Sequence, residues 1–324
     1  MKTFLRIAIP AIATMVAANV AMSDDLAGRA MAYQSELAEA EALDASAKLS
    51  LLVVGDSRTR PIDVEQLGRE LSIEGDSRNA SRGAGDFASS YGIVDAYREH
   101  LDDRSVVVIG VSEYWVELGH LDARLGVLSD PAPYVVARQP KLVVSSVLPL
   151  SRERGRIVAG ARRRMDSAAR NFLNRVGMEV PPPPDPMNDL GPAGLGYSNV
   201  TVWFAATDQE SLEERRAAAK RLLHATVELV PNKRRIVLVM LPNPEVRDVW
   251  VDEHYPKRRL RALAYLKELA HDEGVHFVDL HDAIRSPSAY RDMHHLNDDG
   301  LRKVTTLVAN ELLAIGIGTP DTGH

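Results

Sequence analysis

A chain of 324 residues is long enough for one large α/β domain, or for one domain carrying a sizeable insertion. Hydrophobic residues make up 45% and charged residues 26%, the balance of a globular protein with a buried core, and a net charge of −6 offers no basic field for nucleic acid. The absence of cysteine excludes disulfides, a thiol nucleophile and zinc sites of the Cys/His type.

The chain opens with Lys2 and Arg6, then a mostly apolar run from Ile7 to Met22, then Ser23-Asp24-Asp25. A basic start, a short apolar stretch and small residues at its end predict a secretory signal over residues 1–23, with Ala21 and Ser23 or Val16 and Ala18 placed for cleavage. An uncleaved N-terminal anchor is the other reading, although 16 residues fall short of the ~20 a spanning helix needs. Either reading predicts an exported protein, periplasmic or extracellular. Residues 24–48, rich in Ala, Glu and Leu, predict a helical linker, and the folded domain is expected over 49–324.

Leu49 to Val54 is a short apolar run ending in Gly55, as a central strand of a parallel sheet would be. Ser105 to Ile109, Arg235 to Leu241 and Val275 to Leu280 predict three more strands, and Leu142 to Leu148 a fifth. Helical spacing is expected over Glu210 to Leu229, Leu260 to His271 and Leu301 to Leu313. Strands alternating with helices predict an α/β fold, a doubly wound parallel sheet of about five strands with right-handed crossovers. The stretch 118–202 breaks the rhythm with an Arg-rich segment, then Pro181-Pro182-Pro183-Pro184, then a Gly/Pro-rich loop. It reads as an insertion, helical in its middle and irregular at its end.

Two segments carry chemistry. Gly55-Asp56-Ser57 follows the first strand and is expected to open the next helix, where α/β sheets bind ligands and backbone N–H groups can hold an oxyanion. An ordinary turn and helix cap explains the same tripeptide. Near the other end, Asp292-Met293-His294-His295-Leu296-Asn297 precedes the last amphipathic helix. Asp292 and His295 are three residues apart, so one turn of loop can bring the carboxylate onto one imidazole nitrogen and leave the other free to take a proton from a serine. Asn297 or Asp298 would cap the helix and fix that loop.

Together, in this order and bracketing the α/β pattern, the two segments resemble the SGNH, or GDSL-type, hydrolase superfamily. The resemblance implies a flavodoxin-like hydrolase fold with Ser57 as nucleophile, His295 as base and Asp292 as its partner. His295 rather than His294 is implied by the family's Asp-x-x-His spacing. Asn79-Ala80-Ser81-Arg82-Gly83-Ala84-Gly85-Asp86 looks like the family's second block with one residue extra; it implies Gly85 as an oxyanion-hole donor beside the Ser57 N–H, with Gly83 the alternative. The family's third block, Gly-x-Asn-Asp, is replaced by Gly110-Val111-Ser112-Glu113. Ser112 would then donate in place of the missing amide, or the oxyanion hole would rest on two backbone donors, with Glu113, Tyr114 and Trp115 near the pocket mouth or simply packed at the strand end. This departure, with the exported N-terminus, looks like the branch that acylates cell-envelope polysaccharides. The implied activity is ester hydrolysis or O-acyl transfer through an acyl-enzyme, on an acyl-ester or carbohydrate substrate. A non-catalytic polysaccharide-binding or scaffolding protein on the same fold is the alternative.

Eight arginines crowd Ser151 to Arg175; they predict contact with a membrane or an anionic polysaccharide, or else a solvated helix face. No phosphate-binding glycine loop is present and the other histidines show no ligand spacing, so neither a cofactor nor a metal is expected.

Overall fold

The computed structural model describes residues 28–83, 85–117, 128, 130–147 and 209–318. In chain order the helices and strands are α1 (Gly28–Glu41), β1 (Leu49–Gly55), α2 (Val64–Glu70), β2 (Asp76–Asn79), α3 (Phe87–Tyr97), β3 (Val106–Val111), α4 (Tyr114–Glu117), α5 (Ala132–Val136), α6 (Pro140–Val147), α7 (Gln209–Leu229), β4 (Ile236–Met240), α8 (Glu245–His254), α9 (Arg258–Glu273), β5 (His276–Asp279) and α10 (Asp298–Ala314).

The five strands form one parallel sheet in the order β2-β1-β3-β4-β5. This is the doubly wound α/β arrangement expected from the sequence. β3 and β4 are buried along their whole length and β1 nearly so, which is why each reads as an unbroken apolar run rather than an alternation. α3, α7 and α4 pack on one another, α1 lies against α3, and α10 lies against α2. After β1 the chain runs outward to β2, then returns to place β3 on the other side of β1. That reversal, at the carboxyl ends of β1 and β3, is where open α/β sheets bind their ligands. Gly55 aligns with Gly110, and Val111 with Met240, so the segments leaving β1, β3 and β4 emerge together at one edge.

Three expectations are corrected. Of the expected strand Leu142 to Leu148, the described residues to Val147 are helical, as α6. Pro140 occupies its first turn, where a missing N–H costs nothing, and Val144 and Val147 point to solvent at 56% and 59% exposure. The fifth strand is instead β2, Asp-Ser-Arg-Asn, a short polar edge strand with no buried residue. Ser57 opens no helix. It lies in a turn closed by Thr59 N–H and Arg60 N–H on the Asp56 carbonyl, both at 3.1 Å, and α2 begins only at Val64.

The helix in the expected linker packs on the domain, with Tyr33, Glu36 and Ala40 buried. The N-terminal segment 1–23, the Arg-rich segment, the four prolines and most of the 118–202 insertion lie outside the described residues. Among the described residues no helix is long and apolar enough to cross a membrane.

Candidate active site

Asp56 builds the turn that carries Ser57. Its carboxylate accepts the Arg58 N–H at 2.9 Å, the Ser112 hydroxyl at 2.6 Å and the Tyr114 hydroxyl. The Arg58 side chain folds inward and is buried. It donates to Asn243 Oδ1 at 2.8 Å, to the Val111 carbonyl at 3.3 Å and to Ser112 Oγ. Burial works against the Arg58 charge, but Asp56, Tyr114, Glu113 and Tyr290 together outweigh it and raise the guanidinium pKa. Burial and the neighbouring Asp56 charge push the Tyr114 phenol well above its ordinary range, so it stays a donor. Ser57 is thereby fastened to the ends of β1, β3 and β4 at once, and its side chain remains partly accessible.

The segment before α10 turns back on itself. Tyr290 bridges Leu296, Arg291 N–H meets the His295 carbonyl at 2.9 Å, and Asn297 caps α10 by accepting from Asp299 and Gly300 N–H. This fixes Asp292 and His295 relative to each other. One Asp292 oxygen accepts the backbone N–H groups of His294 and His295 at 2.9 and 2.8 Å; the other meets His295 Nδ1 at 2.7 Å. Burial raises the Asp292 pKa, yet the His295 hydrogen bond, the neighbouring imidazoles and the His294 N–H outweigh it and hold the carboxyl well below the usual carboxylate range. Across 238 residues of chain, His295 Nε2 lies 2.8 Å from Ser57 Oγ. The three residues form one continuous hydrogen-bonded chain at the carboxyl edge of the sheet.

His294 takes a different place. It is buried, and its ring lies against that of His295, tilted by 40° with centroids 3.8 Å apart. Burial and the His295 charge hold its pKa well below the ordinary imidazole value, so it is neutral at working pH.

The expected oxyanion donors are arranged differently from the sequence reading. Ser112 is fully buried, with its proton committed to Asp56 and its oxygen facing Arg58, so it is not free to donate to a substrate oxygen. Gly85 sits against the turn: a Cβ there would strike the Gly55 carbonyl, and only glycine permits the approach. Its N–H, however, closes a turn on the Arg82 carbonyl at 3.1 Å. Gly83 faces open space. Glu113, Tyr114 and Trp115 lie buried rather than at a mouth; Trp115 packs edge-on to Phe87 with centroids 5.0 Å apart.

Sequence reasoning missed the charged groups beneath the site. Glu113 pairs with Arg247, both fully buried. Burial raises the Glu113 pKa, but Arg247, Arg58 and His281 hold it lower and ionised. Asp248 meets Arg285, Arg247 at 3.2 Å and His281 at 3.3 Å. Burial opposes its charge, and the His281 hydrogen bond and Arg247 overcome this to bring its pKa to about 2. By spacing alone, Asp292, His294 and His295, or Asp248, His281 and Asp282, could share a metal ion. The second group is crowded by arginines, and in the first Asp292 and His295 already belong to the hydrogen-bonded chain just described.

Neither any protein-family model nor any curated protein matches the chain. Among solved structures it is similar to a protein from Streptococcus pneumonia provisionally described as a platelet activating factor, at 11% identity and TM-score 0.41, over 95% of this chain and 99% of that one. A likeness that distant assigns neither activity nor substrate.

Proposed function

We propose that the chain is an exported serine hydrolase of the SGNH type, an esterase or O-acyltransferase that works through an acyl-enzyme on Ser57. The observation that carries the reading is the unbroken series Asp292 Oδ2–His295 Nδ1 and His295 Nε2–Ser57 Oγ, at 2.7 and 2.8 Å. As Ser57 Oγ attacks an acyl carbonyl, its proton passes to His295 Nε2, and Asp292 stabilises the imidazolium. The leaving alcohol takes that proton. Water or a sugar hydroxyl then attacks the acyl-enzyme, giving its own proton to His295, and Ser57 is regenerated. The oxyanion rests on backbone donors: the Ser57 N–H, and the Gly85 N–H when it turns from the Arg82 carbonyl.

A non-catalytic carbohydrate-binding protein is favoured by one observation, the commitment of Ser112 to Asp56 where a side-chain donor is wanted. A fluorophosphonate probe separates the two. Labelling of the wild type but not of Ser57→Ala is expected; no labelling of either in any buffer would refute the enzyme. Turnover of p-nitrophenyl acetate with and without an acceptor glycan then distinguishes hydrolysis from transfer.

A further inference from the structure

Helix α1 lies against the back of the loop that carries Gly85. The Glu36 side chain is wholly buried between two arginines of that region: it contacts the Arg82 guanidinium and lies 3.8 Å from Arg78 Nε. Glu39, half exposed, contacts Arg78 and lies 4.0 Å from Arg82. Arg82 is also a backbone junction. Its N–H donates to the Gly55 carbonyl at 3.0 Å, at the root of the Ser57 turn, and its carbonyl accepts the Gly85 N–H at 3.1 Å. One residue thus touches the N-terminal helix, the end of β1 and the glycine.

The first half of the loop needs no such help. Asn79 Nδ2 donates to the carbonyls of Thr59, Arg60 and Ile62, and its Oδ1 accepts the Ser81 N–H. Ala80 N–H is held by the Val53 carbonyl. Asp86, just past Gly85, is held by its capping box with Ser89; between these two anchors the side chain that ties Arg82 down is Glu36 of α1. A buried ion pair is a poor source of stability, because desolvation offsets the attraction, but it does fix geometry.

We propose that Glu36 and Arg82 are positioning residues: through them α1 sets the height of the Gly85 N–H relative to Ser57, and so the quality of the oxyanion hole. The proposal rests on the reading of Ser57 as the acylated serine. It makes the N-terminal helix a working part of the site rather than a leader to the domain.

The test uses the full chain and the substitutions Glu36→Gln, Arg82→Gln and both together, with Tyr33→Phe as control. Tyr33 docks the same helix through a 3.1 Å bond to Asp130, and its hydroxyl fills the space beside Gly92. Amide hydrogen exchange at Arg82 and Gly85 should quicken at least about tenfold in Glu36→Gln while Ala80 and Ser81 stay protected. With p-nitrophenyl acetate, kcat should fall about tenfold with KM nearly unchanged, and the double variant should be no worse than the worse single. Tyr33→Phe should lower Tm and leave kcat in place, as mere docking would. Unchanged exchange at Arg82 and Gly85 overturns the proposal, and so does quickened exchange with an unchanged kcat. If the wild type fails the fluorophosphonate test, the enzyme reading falls, and the link between helix and loop is decided by the exchange pattern alone.

Discussion

Replacing Asp292 by asparagine separates the shape of the site from its chemistry. The amide oxygen can still accept the His294 and His295 N–H groups that the carboxylate holds at 2.9 and 2.8 Å, so the loop keeps its form. The amide nitrogen then faces His295 Nδ1, where a carboxylate oxygen stood at 2.7 Å. Two donors cannot face each other, so the ring moves its proton to Nε2. That nitrogen points at Ser57 Oγ and can no longer accept the serine proton. The same change in the serine-protease triad costs ~10⁴ in kcat, about 5 kcal/mol of barrier. Initial rates with p-nitrophenyl acetate, or the rate of fluorophosphonate labelling, read the loss directly. Circular dichroism and Tm should be close to wild type. A variant that keeps activity within tenfold of wild type, with an unchanged fold, would refute the general-base role of His295.

The adjacent histidines should part company. His295→Ala should lose nearly all activity, whereas His294→Ala should keep most of it per folded molecule while losing about 2 kcal/mol of stability from the emptied core position, read by urea melts; the reverse pattern would sink the assignment. Ser112→Ala removes a buried donor to Asp56 and an acceptor for Arg58, so Tm should drop while kcat changes less than tenfold; a loss of ~10²–10³ would mean that its hydroxyl serves the oxyanion after all. Asp248, with its pKa lowered from 3.8 to about 2, contributes stability above pH about 4 that is lost as pH falls toward 2, on the order of 2 kcal/mol. In Asp248→Asn the acid limb of the stability curve between those pH values should flatten, and an unchanged limb would refute the ion-pair account.

Much of the sheet was legible because central parallel strands are buried on both faces and leave apolar runs, as in Leu-Leu-Val-Val before Gly55 and Ile-Val-Leu-Val-Met at 236–240. The same signal misleads at 142–147, where six apolar or small residues suit a strand or a helix equally and only Pro140 marks the helical start. β2 was illegible, since an edge strand of Asp-Ser-Arg-Asn buries nothing that would mark it. The Asp292 to His295 spacing is local and could be read directly. The approach of Ser57 to His295 could not be read from spacing; the sheet order brings them together. Arg58, Arg247 and Glu113 look like surface charges in sequence, because burial of a charge is a property of its partners, and these lie 134 and 185 residues away in the chain.

The order of the chain also sets a clock. Ser57 and its turn belong to the first strand, but the groups that would awaken it lie some 235 residues later, beside β5 and α10. A chain made in order can settle β1 to β3 before residues 290–297 exist. On the proposed triad, the serine is an ordinary alcohol until the 290–297 segment docks. Reactivity would then arrive only with that segment, and a chain stopped before it would be inert toward acyl groups in its surroundings.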